Sequence, residues 1–209
     1  SASQVEIQSG LQFYDGISTD EIQNILIRSA SDLITLDNPN YQFVAARLLL
    51  FALRKQLYGK IHDIPKLSEH IEDCIDKGVY DSAILDKYSH VELSKFNGWI
   101  DHDRDYLFTY AGLRQVADKY LVQDRSTGKV YETPQFMYMM IAATIFAEYP
   151  KDTRLHYIKR YYDAISKHKI NIPTPIMGGV RTPIRQFASC VLVDIDDTLD
   201  SIFSSDMAI

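Results

Sequence analysis

Residues 173–193 have the sequence PTPIMGGVRTPIRQFASCVLV, and the interpretation of the fold depends on this stretch. Its prolines stiffen the backbone and its paired glycines allow tight turns, so we expect a rigid, irregular loop over residues 173–183. The apolar run that follows predicts one buried strand over residues 187–195. A rigid approach to a strand is well suited to holding Thr174, Ser189 and Cys190 around one small ligand.

Helical periodicity dominates the chain up to about residue 169. Ser18 with Glu21 and Ser89 with Glu92 have the spacing of capping boxes at helix starts. Further helices are predicted after a cap at Asp37 or Asn38, and over 65–78, 81–88, 104–118, 133–149 and, with Asp152 as cap, 152–168. Residues 120–122 and 129–131 flank a Gly-containing loop and predict a β-hairpin. Thr198 is the expected N-cap of a helix after the strand. The fold is therefore predicted to be mainly α up to residue 169, and the strand followed by a helix predicts the start of an α/β unit.

The composition excludes several classes of protein. The chain has 209 residues, a formal net charge of -6 and no basic run, so neither nucleic acid nor an anionic membrane is expected as a partner. No apolar stretch reaches the roughly 18 residues of a spanning helix, and residues 1–6 do not resemble a signal peptide. The two cysteines, Cys74 and Cys190, form no disulfide framework, which favours a reducing, cytoplasmic compartment. Cys74 shares an apolar helix face with Leu67 and Ile71 and is expected in the core.

Residues 172–191, IPTPIMGGVRTPIRQFASCV, closely resemble the segment leading into the active site of the large, catalytic (alpha) subunit of class I ribonucleoside-diphosphate reductases. The family pattern there is roughly LPTPIMxGxRTPxRQFSSCV. So many uncommon residues in one order make this a far more specific pattern than a single glycine-rich motif. Segments 13–16, 41–47, 100–105, 119–122 and 131–136 are also similar to the family, most of all to its bacterial and bacteriophage members.

The resemblance implies a division of the chain. Residues 1–58 would be the C-terminal helices of a truncated ATP-cone, and residues 59–170 the helical N-terminal domain of the reductase large subunit, with a small β-hairpin. Residues 171–209 would start the ten-stranded α/β barrel, with strand 187–195 as its first strand. We therefore expect the N-terminal portion of a large subunit. It would be an isolated domain, a fragment or one piece of a naturally split subunit.

The resemblance also assigns roles to the residues of the first stretch. Replacing a ribose 2′-hydroxyl by hydrogen needs two electrons, which a dithiol supplies by closing to a disulfide. Cys190 matches one half of that redox pair, and not the family cysteine that carries the thiyl radical. Thr174 and Ser189 match substrate-binding residues, whereas Ala188 replaces the first of two family serines. The simpler alternatives are local turn capping for Thr174 and Ser189, and an apolar strand residue for Cys190.

Effector sites are implied at both ends of the chain. Asp197, Thr198 and Leu199 match the start of the specificity site, where a deoxynucleotide selects the substrate base, although a plain N-cap would explain the same residues. Thr19 and Lys55 match positions that contact ATP in the cone. Gln23 and Ala52 replace histidines of activity-regulated relatives, and the first part of the cone would precede Ser1; both departures count against ATP binding.

The family also implies partners that this chain would need. The radical would come from a di-iron small subunit, electrons from thioredoxin or glutaredoxin, and control from ATP and deoxynucleotide effectors. The radical cysteine, the second redox cysteine and the C-terminal thiols would lie in the remainder of the large subunit. We therefore expect no cofactor bound by this chain and no turnover by it alone.

Two other interpretations of the residues remain open, a scaffold and a phosphatase. The chain would be a non-catalytic helical scaffold if it docked the rest of a reductase without thiol chemistry. Asp194 and Asp196 lie in a DxDxT pattern that resembles the nucleophile motif of haloacid-dehalogenase-type phosphatases. Acidic residues flank His102 over residues 101–105, but we expect a charge cluster at a helix start or a salt-bridge network there and no metal site.

Overall fold

The computed structural model describes residues 2–184, 187–190 and 192–208. Helices account for most of these residues, and two short strands form one antiparallel sheet. The α-helices, in chain order, are α1 (Ala2–Gly10), α2 (Thr19–Asp32), α3 (Tyr41–Tyr58), α4 (Leu67–Asp76), α5 (Ala83–Lys87), α6 (His90–Trp99), α7 (Tyr110–Gln115), α8 (Pro134–Ile145), α9 (Arg154–Ser166), α10 (Thr174–Gly179) and α11 (Leu199–Ala208). A 3-10 helix (His102–Leu107) precedes α7, and a π-helical turn (Val116–Tyr120) follows it; the strands are β1 (Gln123–Asp124) and β2 (Lys129–Val130).

Helix α8 is the centre of the main hydrophobic core. Its residues 134–143 are all buried, and it packs against α9, α10 and the 3-10 helix. A helix that is apolar on all sides requires neighbours on all sides, which explains this central position. No helix among the described residues is both long and apolar enough to cross a bilayer.

Helix α3 links this core to a smaller one. Leu49, Leu50 and Leu53 lie in the main core, whereas Tyr41 and Ala45 pack with residues of α1 and α2 in a second cluster. The 18-residue α3 ends at Gly59, which adopts the left-handed conformation (φ 72°) expected of a glycine stop.

The two predicted capping boxes differ in completeness. At Ser89 both hydrogen bonds form: the Glu92 backbone N–H donates to Ser89 Oγ (3.4 Å), and the Ser89 N–H donates to Glu92 Oε2 (2.9 Å). At Ser18 only the hydroxyl accepts, from the Glu21 N–H (3.2 Å), because the Glu21 carboxylate accepts a hydrogen bond from Tyr14 instead. The local pattern therefore located both helix starts.

Ser89→Ala is expected to lower the free energy of unfolding by about 1 kcal/mol, because the first turn of α6 loses its capping acceptor. Ser82→Ala is the matched control, since Ser82 precedes α5 without a side-chain capping hydrogen bond. Urea unfolding of the two variants and the wild type measures the difference. Equal losses in the two variants would contradict the role of the Ser89 cap.

The prediction of one continuous helix over residues 104–118 is wrong. The chain instead forms the 3-10 helix, α7 and the π-turn in succession. The Thr109 hydroxyl accepts a hydrogen bond from the Gly112 N–H (3.3 Å) and so starts a new helix within the predicted one. The π-turn also moves the hairpin: β1 begins at Gln123, after the predicted strand 120–122, and pairs with Val130.

Two predicted helix caps are also wrong by one to three residues. Asn40, rather than Asp37 or Asn38, precedes α3, and Thr153, rather than Asp152, precedes α9. Neither observed residue makes a side-chain capping hydrogen bond. Without such a bond, the side chain does not mark the position of the helix start in the sequence.

The C-terminal stretch differs most from expectation. Residues 174–179 form a short helix rather than an irregular loop, because prolines are compatible with a first helical turn. The prediction of a buried strand over 187–195 is wrong for the described residues: none is in a strand, and residues 187–190 are exposed. A strand must pair its backbone groups with a neighbour, and the hairpin is the only sheet among the described residues.

Candidate functional site

A fully buried ion pair anchors helix α10, on which Thr174 lies. The side chains of Arg181 and Glu132 are both 0% exposed. Arg181 Nε donates to both carboxylate oxygens (3.0 and 2.9 Å), and one terminal nitrogen also contacts Glu132. Arg181 Nη1 donates to the Met177 carbonyl (2.5 Å), and Nη2 to the Tyr120 carbonyl (2.9 Å). One guanidinium therefore joins α10, the π-turn and the residues before α8.

Glu132 extends this network into the core. Its carboxylate accepts hydrogen bonds from the Val122 N–H (2.7 Å) and the Tyr80 hydroxyl (2.5 Å). The Tyr80 hydroxyl lies 3.2 Å from His70 Nε2, which lies 3.6 Å from the Cys74 thiol. Burial raises the pKa of the Cys74 thiol to about 12, so Cys74 is a protonated core residue, as predicted.

The sequence had offered a weak signal for this ion pair. Arg181 and Glu132 both lie in segments that resemble the reductase family, but no local motif assigns either of them a role. The signal is a single charged residue within each of two proline-containing segments, 131–136 and 173–183. Their separation of 49 residues is why no local pattern joined them.

Thr174 lies at the start of α10, beside the π-turn. Its Oγ1 is 3.3 Å from the Tyr120 hydroxyl, and its side chain is accessible from solvent. The ring of Tyr120 is largely buried beneath it. The Thr174 hydroxyl is therefore held by the protein on one side and open to a ligand on the other.

Cys190 and Ser189 form a second exposed pair. Cys190 is a free, exposed cysteine, and its sulfur lies 3.8 Å from Ser189 Oγ. Within the described residues no hydrogen bond joins this pair to Thr174, so the structure does not bring the three predicted ligand-binding residues into one contact cluster. Residues 185, 186 and 191, which are part of the motif, lie outside the described residues.

The predicted specificity-site residues lie at the start of α11. Thr198 Oγ1 accepts a hydrogen bond from the Ser201 N–H (3.2 Å), which is the predicted N-cap contact. Asp197 and Leu199 are exposed. Asp194 and Asp196, the residues of the phosphatase interpretation, are also exposed and follow no strand among the described residues.

The predicted ATP-contacting residues do meet. Lys55 Nζ, on α3, donates to Thr19 Oγ1 (3.3 Å) and lies 3.5 Å from Asp20 Oδ1, at the start of α2. Gln23 donates to the Leu48 carbonyl (3.1 Å), so its side chain ties α2 to α3. The lysine is already paired with a carboxylate that a phosphate group would have to displace.

The acidic cluster around His102 is a salt-bridge network, as expected. Asp101 caps the 3-10 helix and pairs with Arg104 (3.2 Å). Asp105 is fully buried and pairs with Arg54 (3.1 Å), while Gln135 donates to its other oxygen (2.9 Å). Across the part of the chain that the structure describes, no three His, Cys, Asp or Glu side chains form a ligand set for a metal.

His70 makes stability dependent on pH. Burial lowers its pKa from 6.5 to about 4, so the folded state binds fewer protons than the unfolded state between these values. The free energy of unfolding should therefore fall as the pH falls through this window, by about 2 kcal/mol between pH 7 and pH 5 for this one group. We expect His70→Gln to remove that part of the pH dependence, as measured by urea unfolding at both pH values. The same pH dependence in variant and wild type would contradict this prediction.

Comparison with known proteins shows what this chain is similar to. Residues 106–185 match the family profile described as ribonucleotide reductase, all-alpha domain. The whole chain is 52% identical to the ribonucleoside-diphosphate reductase subunit alpha of Haemophilus influenzae, covering 28% of that protein. It is 51% identical over 209 residues to the ribonucleoside-diphosphate reductase 1 subunit alpha of Escherichia coli, covering 27% of that protein. Over 199 residues, 94% of this chain, it is 45% identical to the Enterobacteria phage T4 subunit alpha, covering 26% of it.

The mainly helical fold is consistent with the all-alpha domain of ribonucleotide reductases, which residues 106–185 match. Over its whole length the chain is similar to the N-terminal regions of bacterial and phage ribonucleoside-diphosphate reductase alpha subunits. It spans a little over a quarter of the length of the curated relatives it matches, 28% and 27% for the first two named above.

Proposed function

We propose that this chain is the N-terminal part of a subunit that reduces ribonucleoside diphosphates to 2′-deoxyribonucleoside diphosphates, with Cys190 as one half of its redox pair. The observation that carries this proposal is the contrast between the two cysteines. Cys190 is exposed and free, whereas Cys74 is buried in the core with a pKa of about 12. Only an accessible thiol can exchange with a substrate or with a second thiol.

The chemistry balances with a dithiol. The 2′-hydroxyl leaves as water, a hydrogen takes its place, and two thiols supply two electrons and two protons as they close to a disulfide. The second thiol and the radical cysteine would be supplied by the remainder of the large subunit, and the radical by a di-iron small subunit. Thioredoxin or glutaredoxin would then reopen the disulfide by thiol–disulfide exchange.

Nucleotide contacts follow from the exposed hydroxyls and from α11. Thr174 and Ser189 would bind the substrate, since their hydroxyls can donate to phosphate or sugar oxygens. Asp197 would accept from an effector ribose, and the exposed Leu199 side chain would contact its base, while Thr198 is used as the cap. Thr19 and Lys55 would bind ATP only if a phosphate group displaced Asp20 from Lys55.

The finer division of the fold belongs to this proposal. Residues 1–58 would be ATP-cone helices, residues 59–170 the helical domain and residues 171–209 the start of the α/β barrel. Residues 187–195 would become the first barrel strand when neighbouring strands pair with their backbone. That pairing would also cover the apolar side chains exposed there, such as Phe187, Leu192 and Ile195.

The test is reduction of CDP by the whole subunit that contains this sequence, with purified small subunit and dithiothreitol. We expect dCDP to form, and none to form when the small subunit is omitted. A stable complex with the small subunit that forms no dCDP would contradict the proposal and favour the scaffold interpretation. Hydrolysis of a phosphomonoester dependent on Mg²⁺ and lost in Asp194→Asn would favour the phosphatase interpretation instead.

A further inference from the structure

The hydroxyl of Tyr120 is the protein group that meets Thr174. Tyr120 ends the π-turn, the residue is 9% exposed, and its hydroxyl oxygen lies 3.3 Å from Thr174 Oγ1. A threonine side chain rotates about one bond, and a hydrogen bond selects one of its three staggered positions. The Tyr120 phenol is therefore placed to fix the direction of the exposed threonine hydroxyl.

Both sides of this contact are held by the same guanidinium. Arg181 donates to the Tyr120 carbonyl (2.9 Å) and to the carbonyl of Met177 in α10, the helix that Thr174 begins (2.5 Å). Glu132 fixes that guanidinium through both carboxylate oxygens. The Tyr120 backbone and helix α10 are thereby tied to one another through buried hydrogen bonds of Arg181.

We propose that Tyr120 is a positioning residue for nucleotide binding, acting through Thr174. When the phenol donates to Thr174 Oγ1, the threonine O–H remains available to donate to an oxygen of the substrate, most simply a phosphate oxygen. The inference rests on the proposed function, because it requires Thr174 to contact a ribonucleoside diphosphate. Tyr120 does not itself touch the substrate in this proposal, and its place beside Thr174 is explained by the contacts of Arg181.

The test is Tyr120→Phe in the whole subunit, assayed for CDP reduction with the small subunit. We expect the KM for CDP to rise roughly 3- to 10-fold while kcat changes less than twofold, because a pre-oriented binding contact is lost and the thiol chemistry is untouched. Tyr131→Phe is the matched control: its hydroxyl has no hydrogen bond among the described residues, and its KM should remain that of the wild type.

A double-mutant cycle separates positioning from a general structural role. In a Thr174→Val background, Tyr120→Phe should raise the KM no further, because its effect passes through the threonine hydroxyl. An equal additional rise in that background would overturn the inference, as would a wild-type KM in Tyr120→Phe when Thr174→Val weakens binding. A wild-type KM in both single variants would also overturn it. Failure of the proposed function is distinct, because then the wild-type subunit forms no dCDP.

Discussion

Cys190→Ser in the whole subunit should abolish dCDP formation, with a loss on the order of 10³-fold or more. Serine keeps the shape and the neighbouring Ser189 contact, but its hydroxyl cannot form the disulfide that releases two electrons. Binding of CDP should be nearly unchanged, since the substitution removes a reductant rather than a binding contact. Product formation measured beside equilibrium binding of CDP separates the two effects.

Cys74→Ala is the matched control for this experiment. It removes the other cysteine, whose buried thiol donates to the Tyr131 carbonyl (3.7 Å) and lies beside His70. We expect wild-type turnover with a modest loss of stability. If Cys190→Ser kept the wild-type rate, Cys190 would have no redox role and the alternative of a plain apolar residue would stand.

Arg181→Ala is expected to lower the free energy of unfolding by about 3–5 kcal/mol. Arg181 and Glu132 both have fully buried side chains, so removing the guanidinium leaves a carboxylate without its counter-charge in the core. Burial alone would lower the pKa of Arg181, but the adjacent Glu132 carboxylate raises it above its ordinary value. Urea unfolding followed by circular dichroism measures the loss.

Two further variants show whether the loss comes from the buried charge. Arg114→Ala removes an arginine whose partner, Asp118, is half exposed, and should cost less than about 1 kcal/mol. The double variant Arg181→Met/Glu132→Gln should be more stable than Arg181→Met alone, because no unpaired charge is then left buried. A loss of under about 1 kcal/mol in Arg181→Ala would contradict the importance of this pair.

Local patterns predicted the parts of the fold that depend on neighbouring residues. Ser18 and Ser89 start helices where the sequence placed them, and Gly59 ends α3. The side-chain polarity of residues 134–143 correctly predicted a buried helix. In these cases the structure is decided by residues close together in the sequence, so a local pattern is enough to predict it.

The predictions are wrong where the structure depends on a partner far away in the sequence, or where the same residues fit two kinds of local structure. Residues 187–195 have the composition of a strand, but a strand forms only when another chain segment pairs with it. Pro173 and Pro175 were interpreted as loop residues, although the first turn of a helix tolerates both. The Thr109 cap broke a helix whose apolar spacing was otherwise continuous.

The candidate site was only partly predictable for the same reason. Thr174, Ser189 and Cys190 came from a resemblance, and the structure places the first on α10 and the other two on an exposed segment. Arg181 and Glu132, which hold α10, are far apart in sequence and meet only in the folded chain. Long-range ion pairs of this kind leave no periodic trace in a sequence.

Helix α3 has a mechanical consequence for the chain. Its 18 residues make a rod about 27 Å long, with its first turns in the smaller core and its later turns in the larger one. Because close-packed interiors transmit strain, a movement at one end of α3 should displace the other end. A tilt of α1 and α2 would therefore be expected to shift Arg54, in the later turns of α3, relative to its ion-pair partner Asp105 in the 3-10 helix.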